Sequence, residues 1–102
     1  MVTDADRQHW DEQGYVVVRG LFSTDEAQTY RDHFMAMRAK GSYPGDFDGV
    51  DPSSDDPLKK FPRMIHMHRW DEVSLRWLID ARLDQVMTAL TGDSPYAVQT
   101  ML

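Results

Sequence analysis

The sequence predicts an α+β chain of about four helices and two or three short strands. Three observations predict it. Ser23-Thr24-Asp25-Glu26 is a capping box ahead of apolar residues at helical spacing. Tyr15-Val16-Val17-Val18-Arg19 and Tyr96-Ala97-Val98-Gln99-Thr100-Met101-Leu102 are short runs rich in β-branched and aromatic residues. Glycines at 14, 41 and 92 each close a helical pattern.

Taken in order, Thr3 is an N-cap followed by Asp4 and Asp6, which favours a short helix to about Gln13. Tyr15–Arg19 reads as a largely buried strand. After the capping box, Ala27, Tyr30, Phe34 and Met37 form one apolar face, so the helix runs to about Lys40. From about 41 to 60, Pro44, Gly45, Gly49, Pro52, Ser53, Ser54 and Pro57 predict a long loop. Phe61–Met67 reads as extended, because Pro62 disfavours helical geometry at Phe61. Asp71 caps a helix carrying Val73, Leu75, Trp77, Leu78 and Ile79. A last helix, about Ala81–Thr91, places Leu83, Val86, Met87 and Leu90 on one face. Tyr96–Leu102 is then the final strand, with Gln99 and Met101 on the same side. Because the chain stops inside this apolar run, it reads as the front end of a larger domain. A small complete α+β domain is the alternative.

The 102 residues suffice for one small domain. With 41 % apolar and 27 % charged residues, the composition is that of a folded chain. The net charge of −6 repels phosphate backbones and argues against a nucleic-acid partner. There is no cysteine, which excludes disulfides and thiolate metal sites. Met1–Gln13 is acidic and polar, unlike a signal peptide, and Tyr15–Val18 is far too short to span a bilayer. A cytoplasmic protein without a membrane partner is expected.

Few motifs carry chemistry. His66-Met67-His68 would turn both imidazoles to one side if it were a strand. Zinc or iron needs at least a third protein ligand, which no spacing supplies. The acidic stretch Asp46–Asp51 departs from the calcium-loop pattern, with Gly49 too early and Pro57 at the twelfth position. Arg63 is a possible carboxylate or phosphate ligand, or a surface arginine. Gln99, a polar residue in an apolar strand, either lines a cleft or bonds to backbone. Trp10, Trp70 and Trp77 are expected in the core. No phosphate loop, nucleophile elbow or cysteine nucleophile is present.

Three segments together resemble the N-terminal part of the phytanoyl-CoA dioxygenase family. They are Gln13-Gly14-Tyr15-Val16-Val17-Val18-Arg19-Gly20-Leu21-Phe22-Ser23 with its capped helix, Phe61-Pro62-Arg63-Met64-Ile65-His66-Met67-His68-Arg69-Trp70, and Gly92 through Leu102. Order and spacing match over nearly the whole chain. The resemblance implies a double-stranded β-helix (jelly roll) with helices packed on its major sheet. It implies an Fe(II)- and 2-oxoglutarate-dependent dioxygenase that hydroxylates a C–H bond of a small-molecule substrate, releasing succinate and CO₂. In that family a His-x-Asp pair and a distant His hold the iron. Of these, His9-Trp10-Asp11 matches only by pattern, and it lies on the N-terminal helix.

Residues 1–102 are thus expected to be the N-terminal segment of one oxygenase domain. They would supply its N-terminal helices and first jelly-roll strands, truncated before the metal-binding core and inactive alone. Fe(II) and 2-oxoglutarate belong to the full-length parent, neither binding tightly to this chain by itself. The remainder of the same domain, beyond Leu102, is its partner. No catalytic or metal-ligating residue is assigned. The position matching Met101 touches 2-oxoglutarate in the family. The stretch around His66 aligns with a region giving a polar contact to the same cosubstrate, where a Lys can occur. A histidine there can donate a hydrogen bond or, when charged, pair with a carboxylate. Gln99 faces the same cavity by alternation. The contrasting expectations are a non-catalytic α+β binding or interaction module and a small histidine metal-binder.

Overall fold

The computed structural model describes residues 1–40, 44, 51–61 and 63–102. Among them lie α1 (Asp4–Gln13), α2 (Thr24–Ala39), α3 (Pro57–Lys60), a 3-10 helix (Met67–Arg69), α4 (Glu72–Leu78) and α5 (Ala81–Thr91). Among the described residues no helix is long and apolar enough to cross a membrane.

The helices start where side chains satisfy the free backbone N–H groups of the first turn. Thr3 and Asp6 close a capping box on α1, and Ser23 and Glu26 close another on α2. Asp56, Asp71 and Asp80 accept from backbone N–H groups at the starts of α3, α4 and α5. Gly14 and Gly92 end α1 and α5 with φ of +78° and +72°, a conformation that costs glycine little. The far end of the expected loop, Pro57–Lys60, is a single helical turn with Pro57 at its first position. Gly41 and the stretch 46–50 lie outside the described residues.

The α+β expectation, with the first strands of a jelly roll, is overturned. The described residues contain no β-strand and no sheet, and the chain is helical. Residues 15–18 have no regular secondary structure and pair with no other segment among the described residues. Residues 64–66 and 100–102 do run antiparallel, yet they form only one bridge, Ile65 with Met101. The physical reason is partnership. β-propensity describes a residue's fit to a pleated surface, and a strand exists only where a neighbour takes its N–H and C=O groups. Here the backbone of 15–18 finds no pairing partner among the described residues. The other two runs overlap for three residues before His66 turns the chain into a 3-10 helix.

The core is small. Phe34 and Met37 from α2 pack with Met64 and Met67, and Tyr30, Trp70 and Trp77 close around them. Trp10, on α1, lies outside this cluster. The radius of gyration of 16.4 Å exceeds the roughly 13 Å of a compact chain of this size, in keeping with so few buried side chains.

Polar side chains do much of the remaining tethering. Arg82, near the start of α5, grips both oxygens of Asp80 at 2.8 and 2.9 Å. It also donates to Glu26 at 2.9 Å and to the Leu21 carbonyl at 3.3 Å. Its guanidinium lies 4.4 Å from the centre of the Phe22 ring. One side chain thereby ties α5 to the capping box of α2 and to the turn before it. On the far side, Arg7 of α1 donates to the Ala89 carbonyl of α5 at 3.0 Å.

The Arg82 hydrogen bonds pull Asp80 down from the ordinary 3.8 to about 2. A carboxylate with a depressed folded-state pKa adds stability that is full above its unfolded value and is lost as pH falls through the folded one. The wild type is therefore expected to lose stability from this pair between pH 3.8 and about 2. Arg82→Ala should be less stable at neutral pH and flatter across that interval, read from urea midpoints. An unchanged acid slope in the variant contradicts the assignment.

Candidate functional site

The most site-like constellation is built where 64–66 meets 100–102. Met64 N–H donates to the Leu102 carbonyl at 2.9 Å, and Leu102 N–H returns a bond to Met64 at 2.8 Å. His66 N–H donates to the Thr100 carbonyl at 3.0 Å. These bonds bring together residues about 35 positions apart.

His66 then leaves the ribbon with φ +59° and ψ +29°, the one positive φ among the described non-glycine residues. For an L-residue this conformation costs about 1–2 kcal/mol. The turn launches the 3-10 helix, whose Arg69 N–H donates back to the His66 carbonyl at 3.0 Å. It buries Met67, which is 1 % exposed, and swings His68 onto Thr100. His68 Nδ1 and Thr100 Oγ1 share a hydrogen bond of 2.9 Å whose direction follows the ring tautomer. The same hydroxyl accepts from the His68 backbone N–H at 3.4 Å. Thr100 is 2 % exposed, so its hydroxyl is spent inside the fold.

The His66 and His68 rings meet edge to face, with centres 5.8 Å apart. His66 Nδ1 is buried and has no hydrogen-bond partner among the described residues. A buried polar nitrogen left unpaired costs about 1–3 kcal/mol. Backbone strain and an unsatisfied nitrogen thus coincide on one residue.

Of the three residues singled out from the sequence, His66 sits in this corner. Met101 lies opposite Ile65 on the bridge and is half exposed. Gln99 is exposed and makes no hydrogen bond among the described residues. Arg63 is likewise exposed.

Met101 also lines an apolar cavity of about 280 Å³ between α2, α4 and the C-terminal segment.

The other histidines do different work. His33 of α2 donates through Nε2 to Asp71 at 3.0 Å. Asp71 also accepts from the Ser74 hydroxyl at 2.6 Å and its backbone N–H at 2.7 Å. Burial pushes the Asp71 carboxyl up, but the Ser74 and His33 hydrogen bonds outweigh it and hold it below its usual range. The carboxylate stands between serine and histidine, so the serine has no imidazole beside it to take its proton. This is a strut between α2 and α4 rather than a nucleophile relay. His9 packs edge to face on Tyr15 at 4.8 Å. Among the described residues no three His, Asp or Glu side chains gather closely enough to hold a metal ion.

The sequence does not single out Thr100 or Ser74 as a site residue. Ser74 carried a signal, being three residues beyond the N-cap Asp71, where a cap accepts hydrogen bonds. Thr100 carried only its polarity in an apolar run.

No family model matches the chain, and no curated protein or solved structure matches it.

Replacing His66 by glycine removes both the left-handed penalty and the unpaired nitrogen, against the entropy glycine adds to the unfolded chain. His66→Gly is expected to raise unfolding stability by roughly 1 kcal/mol in urea denaturation. A clear loss of stability would show that the imidazole is needed for packing and is not held at a cost for another purpose.

Proposed function

We propose that this chain supplies part of the 2-oxoglutarate-binding wall of an Fe(II)- and 2-oxoglutarate-dependent dioxygenase that hydroxylates a small-molecule C–H bond. The observation that carries the reading is the buried, unpartnered Nδ1 of His66, one residue from the bridge to Met101. A carboxylate oxygen satisfies such a nitrogen. It accepts from a neutral imidazole N–H, or pairs with the ring when charged. The fold itself lends no support, since it is helical. What supports the reading is the corner and the resemblance of the three segments, of which the second and third build it.

A carboxylate is a chemically suitable partner for the unpaired His66 nitrogen, whereas iron finds no set of ligands among the described residues. His9 and Asp11 are a sequence pair with no third ligand nearby. No step is therefore routed through the metal. In this reading its ligands come from the remainder of the same domain, and the chain alone is inactive. His66 orients a carboxylate, His68 braces the turn through Thr100, and Met101 bounds the apolar side. Gln99 is a lesser contributor.

A second reading, a non-catalytic binding module, draws on the apolar cavity beside Met101, which needs no iron or cosubstrate.

The two readings separate in one titration. Adding 2-oxoglutarate to the isotopically labelled chain, up to roughly 10 mM to catch weak binding, should move the His66 and Met101 resonances saturably. His66→Ala should abolish the movement. If His66 stays still across that range, the cosubstrate-wall reading fails.

A further inference from the structure

We propose that the cavity between α2, α4 and the C-terminal segment is a binding site for a small, neutral, planar aromatic molecule of about ten heavy atoms. Four aromatic rings make its walls: Phe22, Tyr30, Phe34 and Trp77. The buried Met67 gives the floor, while Ala27 of α2 and half-exposed Met101 flank the mouth.

Three features select the occupant. The first is size. A cavity of roughly 150 Å³ lined by apolar side chains admits benzene. At about 280 Å³ this one is close to twice that, the room for two fused rings.

The second is polarity. No lining side chain is charged. Water bound there finds few polar partners on the walls, and a charged ligand has no opposite charge to offset its lost hydration. An apolar occupant loses nothing of the kind.

The third is preorganisation. Phe22 is held under the Arg82 guanidinium at 4.4 Å and meets Tyr30 edge to face at 6.0 Å. Tyr30 and Trp77 are tilted at 6.3 Å, and Phe34 meets Trp77 edge to face at 5.8 Å. Each ring is fixed by its neighbour, so a ligand need not order the walls on binding. A flat ring continues this edge-and-face array and presents its own edge to the thioethers of Met67 and Met101. An aliphatic chain of equal volume fills the space without those contacts.

The site is tested separately from the carboxylate-binding corner. It shares Met101 with that corner, but His66 does not line it. Failure of either leaves the other standing.

Indole is a suitable probe, followed by NMR of the methionine methyls and the Trp77 indole N–H in the full chain. Indole should shift Met67, Met101 and Trp77 along one saturable curve with a Kd below about 1 mM. Cyclohexanol should bind more weakly, and 2-oxoglutarate should leave Met67 and Trp77 unmoved. Ala27→Phe, on the exposed side of α2, should fill the mouth and weaken indole binding at least tenfold. Met101→Phe, from the opposite wall, should do the same and stands in if the first variant unfolds. Non-saturable shifts, or binding undiminished in a folded filled variant, would overturn the proposal. So would movement of the same signals on diluting the protein alone, which would mean that a second copy covers the cavity.

Discussion

Three backbone hydrogen bonds between 64–66 and 100–102 are the constraint on which the rest of this structure depends. They are the long-range main-chain link between the C-terminal segment and the middle of the chain. Together with the His68–Thr100 hydrogen bonds they place Thr100 against His68 and Met101 and Leu102 beside the aromatic rings of α2 and α4. The pairing is too short to be a sheet, yet long enough to fix register. A slip by one residue would turn Thr100 to the other face and break its hydrogen bonds to His68.

From that link two unlike surfaces arise within a few residues of each other. On one side His66 must take a left-handed turn so that Met67 can bury and His68 can reach Thr100. The turn leaves Nδ1 of His66 in a buried place with nothing to bond. On the other side Met101 meets a wall of mutually packed rings with no charge among them. Strain and unsatisfied polarity concentrate where a structure is held for binding more often than for stability. The Arg82 network, some distance away, supports this arrangement indirectly. By clamping Phe22, Glu26 and Asp80 it sets the start of α2, and α2 supplies the rings.

Local features were legible in the sequence because their causes are local. The N-cap at Thr3, the capping box at Ser23, the cap at Asp71, and the glycine ends of α1 and α5 each depend on residues within four positions; the second half of the Thr3 box and the cap at Asp80 came only with the structure. The apolar face of α2 followed from spacing, and Phe34 and Met37 are its buried members. What misled was the β-propensity of 15–18 and 96–102. Valine and tyrosine favour extended backbone, but only distant chain decides whether that backbone pairs. The same distance hid the Arg82 tethers to Glu26 and Leu21, and the His33 strut to Asp71. At the candidate site, His66 and Met101 stood out through resemblance. The polar role of Thr100 did not, because its partner lies 32 positions away.

Amide hydrogen exchange tests the central claim most directly. If the short antiparallel link organises the molecule, the amides of Met64, His66 and Leu102 should exchange as slowly as those of Phe34 and Met37 in α2. Exchange at the fast rate of the unpaired amides at 97 and 98 would contradict it, and would remove the common footing of both proposed sites.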